Sequence, residues 1–196
     1  MAERIYGDFD YIPDDLTPEA HFELSVTPID LTAHWPRCGL ISDLVAGYIA
    51  YAYHESQEMY KFPIYSSLSM IFQELIENAA KYSRARETII RIRVKHFNSV
   101  VRLEVQNDAT IASGEKFEAY VQHLLTSDLE ELHVQIVEDK ARDRSQSGLG
   151  LVLLLKDYPI KFGAQFRRVG DEREIITVRA HYHLEGYPLD LDPDGF

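Results

Sequence analysis

The sequence predicts an α+β fold, a two-layer sandwich of helices on a mixed, mainly antiparallel sheet. Three observations predict it. Two apolar/polar alternations, Thr88 to His96 and Val101 to Val105, flank the short turn Asn98-Ser99 and read as a hairpin with one buried face. A second pair, Ala164 to Val169 and Glu174 to His183, is joined through Gly170-Asp171. Between and before these pairs run segments with apolar residues at helical spacing.

In chain order, Met1 to Ala20 is acidic, carries Pro13 and Pro18, and reads as an irregular leader over residues 1–20. Phe22-Glu23-Leu24-Ser25-Val26 alternates and stops before Pro28, which suits a first strand. Leu40, Ile41, Leu44, Val45, Tyr48, Ile49 and Ala52 give a helix from Arg37 to about Glu58, and Pro63 is expected to separate it from a second, Tyr65 to about Ser83. After the hairpin, Asn107 to Gly114 is turn-like, and one helix is expected from Glu115 through about Arg142. Residues 139–147 are polar and charged, a loop leading into the apolar helix Leu151 to Tyr158, which Pro159 stops. One domain over residues 21–184 follows, with an acidic tail at 185–196.

The formal net charge of −12 argues against a nucleic-acid binder that relies on bulk electrostatics. No run of residues has the length and apolarity of a bilayer span or a signal peptide, so no membrane is expected. Cys38 is the single cysteine and needs no oxidising compartment. A cytoplasmic location is the expectation. His181 and His183 share a strand face, too few for a metal site, and read as surface residues. The tyrosines at 48, 51, 53 and 60 read as helix packing, with a partner surface as the alternative. Arg91, Arg93, Lys95 and Arg102 form a basic ladder that reads as a solvated sheet face, or as a dock for an acidic partner or the tail's Asp190, Asp192 and Asp194.

Two stretches carry chemistry. In Glu74-Leu75-Ile76-Glu77-Asn78-Ala79-Ala80-Lys81-Tyr82-Ser83, Glu74 and Asn78 lie one turn apart and project from one side of a helix, beside the slim pair Ala79-Ala80. In Ser147-Gly148-Leu149-Gly150-Leu151, two glycines sit where a polar loop becomes an apolar helix. Such a helix start offers unpaired N–H groups to an anion, and glycine lets phosphate approach the backbone.

In this order, with a hairpin between, the two stretches resemble the asparagine box and the distal glycine box of the histidine-kinase-like (GHKL) ATPase superfamily. The resemblance spans roughly Phe22 to His183. It implies ATP and Mg²⁺ as cofactors, with Asn78 on the metal, Glu74 polarising the attacking hydroxyl or water, and Ser147, Gly148, Leu149 and Gly150 at the phosphates. Lys81 and the loop residues Lys140, Arg142 and Arg144 are candidates for added positive charge. The departure is at the family's Asp-x-Gly-x-Gly box, where this chain reads Asn107-Asp108-Ala109-Thr110-Ile111. Asn107 takes the place of the adenine-binding Asp, or Asp108 does by a one-residue shift, and both glycines are missing. A charge-assisted bond replaced by a neutral one loses on the order of 1 kcal/mol, or about tenfold in affinity.

No histidine followed by an acidic residue lies on an upstream dimerisation helix, so a complete sensor kinase is not expected. The chain is most similar to stand-alone anti-sigma or switch serine/threonine kinases. These bind, and in the active members phosphorylate, a STAS-type partner. A second copy of the chain is an alternative partner. The rival reading is a nucleotide-free or weakly binding interaction module that kept the scaffold.

Overall fold

The computed structural model describes residues 3–51, 58–142 and 149–184. Six strands form one open sheet: β1 (Glu3–Gly7), β2 (Ala20–Val26), β3 (Ile90–Phe97), β4 (Val100–Thr110), β5 (Ile160–Val169) and β6 (Arg173–His183). Their order is β1-β5-β6-β4-β3-β2, and every neighbouring pair is antiparallel. The helices are α1 (Pro28–Ala33), α2 (Pro36–Ala50), α3 (Glu58–Tyr82), α4 (Ile111–Thr126), α5 (Leu129–Arg142) and α6 (Leu149–Asp157). The α+β class and the helix-on-sheet layering expected from the sequence are therefore present, with a sheet that is antiparallel throughout.

The core follows from two periodicities. Along α3, Ile64, Leu68, Ile71, Phe72, Leu75, Ile76, Ala79 and Ala80 recur on one stripe and are all buried. Val101, Leu103, Val105 and Ala109 from β4, and Ile176, Val178 and Ala180 from β6, meet that stripe on one sheet face. The hairpin turns at Asn98, whose φ of 45° is tolerated by asparagine in a two-residue turn.

Several local expectations give way to the structure. Pro63 lies inside α3, near its start, where the missing N–H removes a single intrahelical bond. The segment 107–110 continues β4, and α4 begins at Ile111 under a cap from Thr110, whose Oγ1 accepts from Ser113 N at 3.2 Å. The single helix expected over 115–142 is split, because the extended Ser127 ends α4 and Asp128 Oδ1 accepts from the N–H groups of Glu130 and Glu131 at 2.9 and 3.1 Å.

The leader departs most from its irregular reading. Residues Glu3–Gly7 pair with β5 as an edge strand, fastened to α4 where Arg4 bonds Glu118 at 2.7 Å and to β6 where it bonds the fully buried Glu174 at 2.7 Å. Residues 8–19 then cross the outer face of the sheet as a strap, with Phe9 and Ile12 buried beneath it. Gly163 allows this crossing, since a side chain there would overlap the Phe9 backbone. The acidic tail at 185–196 lies outside the described residues.

Candidate functional site

The helix face of the sheet, α3 and α6 enclose a cavity of about 20 Å³. Its lining includes Asn78 and Ala79 from α3, Asn107 from β4, Phe117 from α4 and Leu151 from α6. Strand alternation decides which polar residues reach it. Asn107 shares the helix-facing side with Val105 and Ala109 and is 5% exposed. Asp108 falls on the opposite face and pairs with Arg173 at 3.5 Å.

The Asn107 amide nitrogen is buried and has no hydrogen-bond partner. An unsatisfied buried donor costs about 1–3 kcal/mol, so this is an expensive feature to keep in an otherwise apolar wall. A carboxamide presents a donor and an acceptor side by side, the pattern that pairs with two adjacent groups on an adenine edge.

Glu74 and Asn78 are both half-buried on one side of α3, and the Glu74 carboxylate lies against Gly150. A side chain at Gly150 would overlap that carboxylate, so the glycine is what admits the close approach of the α6 start to α3. Tyr120 stands close by. Burial pushes its hydroxyl well above the ordinary tyrosine range, and the charges of Tyr82 and Glu74 add to the shift.

The structure thus brings Glu74, Asn78, Asn107 and the Leu149-Gly150 helix start to one place. Lys81 is exposed, bonds Glu77 at 3.4 Å and lies 5.8 Å from the centroid of the Trp35 ring. Ser147, Gly148 and Arg144 lie outside the described residues, while Lys140 and Arg142 fall at the end of α5. The aromatic wall of Tyr82 and Phe117, stacked with centroids 6.0 Å apart, is not apparent from the sequence. Its signal was available only as apolar spacing on two different helices.

The donor set suits a hard cation. Asn78 and Glu74 supply oxygens, and Mg²⁺ takes one or two protein oxygens and completes its shell with phosphates and water. Among the described residues no group of three or more His, Cys, Asp or Glu forms a metal site. The cavity as it stands has room for about one water and none for a purine.

Other sequence expectations resolve around the site. Cys38 is fully buried in α2, and burial pushes its thiol up to about 11, with the charge of Glu77 adding to the rise. Leu40, Leu44 and Tyr48, four residues apart, form an exposed apolar row on α2, continued by Tyr51, so these tyrosines are not core packing. Tyr53 lies outside the described residues. His181 is fully buried rather than on the surface, packed against Tyr11 of the strap. Of the basic ladder, Arg102 is 2% exposed and meets the strap's Asp14 at 2.8 Å, so the leader covers part of this face. No helix among the described residues is long and apolar enough to cross a membrane.

No protein-family model matches the chain, and no curated protein matches it. Among solved structures, it is similar to a chain of the SiaB–SiaC complex from Pseudomonas aeruginosa. The TM-score is 0.58 at 14% identity, over 84% of this chain and 90% of that chain. At that identity the likeness shows a shared fold, over nearly the full length of both chains.

Proposed function

We propose that this chain is an ATP-binding regulator of the histidine-kinase-like type, which docks a STAS-type partner protein and phosphorylates it on Ser or Thr. The observation that carries the reading is the convergence of Asn78, Asn107 and Leu151 of α6 on one cavity, where the Asn107 amide is buried without a partner, while Gly150 at the start of α6 lies against Glu74. Asn107 would read the adenine edge, Asn78 would hold Mg²⁺ at the phosphates, and the α6 start would supply backbone N–H groups to them. Glu74 would accept the proton of the partner hydroxyl as its oxygen bonds the γ-phosphorus and ADP leaves. The likeness to a chain of a two-protein complex, together with the exposed Leu40, Leu44 and Tyr48 row, supports the partner-binding half of the reading.

A purine enters only if the cavity widens, which requires α6 or α4 to move outward from the sheet. The small volume specifically favours a second reading, a nucleotide-free interaction module on the same scaffold. Titration with ATP and Mg²⁺, read by thermal shift, separates the two. Stabilisation that disappears in Asn78→Ala supports the site, and no shift at millimolar nucleotide selects the module. Phosphotransfer to a STAS partner, compared with Glu74→Ala, then separates kinase from binder.

A further inference from the structure

On the outer face of the sheet, opposite the cavity, a row of basic side chains runs across five strands at one register level. His21 is opposite Lys95, Lys95 opposite Arg102, Arg102 opposite His181, and His181 opposite Lys161. The adjacent row alternates in sign and is closed on itself. Arg93 pairs with Glu23 at 2.9 Å and with Glu104, and Arg179 pairs with Glu104 at 2.6 Å. The basic row has no such internal balance. Among the described residues its one carboxylate comes from the strap, where Asp14 meets Arg102 at 2.8 Å and also Arg179 of the adjacent row at 3.0 Å. Lys95 makes no ion pair with a described residue.

Between the two rows opens a cavity of about 260 Å³, lined by Asp14, His21, Arg93, Lys95, Arg102, Glu104 and Arg179. Four cations face two carboxylates there, and Glu23 and Asp10 just outside the lining pair with Arg93 at 2.9 Å and Arg179 at 3.7 Å, so Lys95 is left as the cation of the lining without an ion pair to a described residue. Two of the guanidiniums are nearly buried, Arg102 at 2% and Arg179 at 7% exposure. Partly desolvated cations bind an anion more strongly than solvated cations do. A phosphate dianion matches on two counts: its oxygens fit guanidinium forks and a lysine point charge, and the cavity holds it together with part of what it is attached to.

We propose that this slot binds a phosphate dianion, carried either by a phosphorylated side chain or as the free ion. Lys95, Arg93 and Arg102 hold the oxygens, and Asp14 is a built-in competing anion on the strap. The slot lies across the sheet from Asn78 and Asn107, so the inference stands apart from the nucleotide reading.

Isothermal titration of the full chain, without nucleotide and at ionic strength held constant with chloride, tests it with two probes: inorganic phosphate and a capped phosphoserine. Saturable binding is expected, at least about tenfold weaker in Lys95→Gln and largely kept in Lys95→Arg, since one charge-assisted bond is removed or retained. Lys95 is half-exposed, so both variants fold. Asp14→Asn is expected to tighten binding several-fold, since it removes the competing carboxylate. Asn78→Ala leaves it unchanged. Tighter binding of phosphoserine assigns the slot to a phosphorylated protein, and equal or weaker binding assigns it to the free ion. The proposal is overturned by absence of saturable binding at millimolar phosphate, by full retention in Lys95→Gln, or by loss in Asn78→Ala.

Discussion

The Glu74 carboxylate rests against the Cα of Gly150, so the helix that carries the candidate base and the glycine-led start of α6 are in contact without a spacer. The atoms in the way of a substituted Gly150 belong to the end of a flexible side chain. Gly150→Ala therefore displaces Glu74 rather than breaking the fold. Alanine is also the better helix former by about 1 kcal/mol, which offsets the strain. The melting temperature is expected to change by only a few degrees, while phosphotransfer falls as far as in Glu74→Ala. The double variant should show no further loss, since both changes remove the same placed carboxylate. Wild-type phosphotransfer in Gly150→Ala would show that this contact does not position Glu74.

Asn107 offers a sharper test of the adenine assignment. Asn107→Leu replaces an unpartnered buried amide with an apolar side chain of similar size, so the nucleotide-free protein should be as stable as the wild type or more so, by about 1 kcal/mol. The same change removes both polar atoms that would meet the purine. Stabilisation by ATP is expected to vanish while basal stability is kept, measured by urea unfolding with and without nucleotide. A variant that is less stable without nucleotide would mean that the amide has a structural partner in solution.

The contrast between Asn107 and Asp108 shows how far the sequence was legible. Strand period alone separates the two residues onto opposite faces, once β4 is known to continue through Thr110. That continuation is hidden in the sequence because Asn and Asp are turn-favouring residues, and pairing with β6 overrides that local preference. Glu74, Asn78 and the glycine pair were legible because helical spacing and glycine at a helix start are local signals. The strap was not legible. Phe9, Ile12 and Asp14 are ordinary leader residues until Gly163, Arg102 and Arg179, distant in sequence, provide the surface they cover.

That surface makes the strap a structural element. Phe9 is 2% exposed, and the Arg179 guanidinium lies 4.0 Å from its ring centroid. Removing a buried phenyl costs about 3–5 kcal/mol, so Phe9→Ala should lower the urea midpoint markedly. It should also open residues 8–19 to proteases at concentrations that leave the wild type intact. Unchanged cleavage would place the anchorage elsewhere along the strap.

His181 should make stability depend on pH in a defined window. Burial, joined by the charges of Arg102 and Arg179, pushes the imidazole down from 6.5 to about 4. The unfolded chain therefore binds a proton at a pH where the folded chain does not. Stability from the neutral imidazole is fully present above about pH 6.5 and is lost as pH falls toward about 4, on the order of 2–3 kcal/mol at the acid end. Asp14 and Glu104 act separately. Burial opposes their charged forms, but hydrogen bonds and charge from their arginine partners outweigh it and hold both carboxyls below the ordinary range. Their contribution is lost below the ordinary carboxylate values of 3.8 and 4.5. Urea unfolding of the wild type and His181→Gln between pH 4.5 and 7.5 isolates the histidine. The variant should be flatter across that range, whatever its absolute stability, because glutamine takes up no proton. Parallel curves would mean that the imidazole titrates alike in both states, with the strap's Tyr11 no barrier to its protonation.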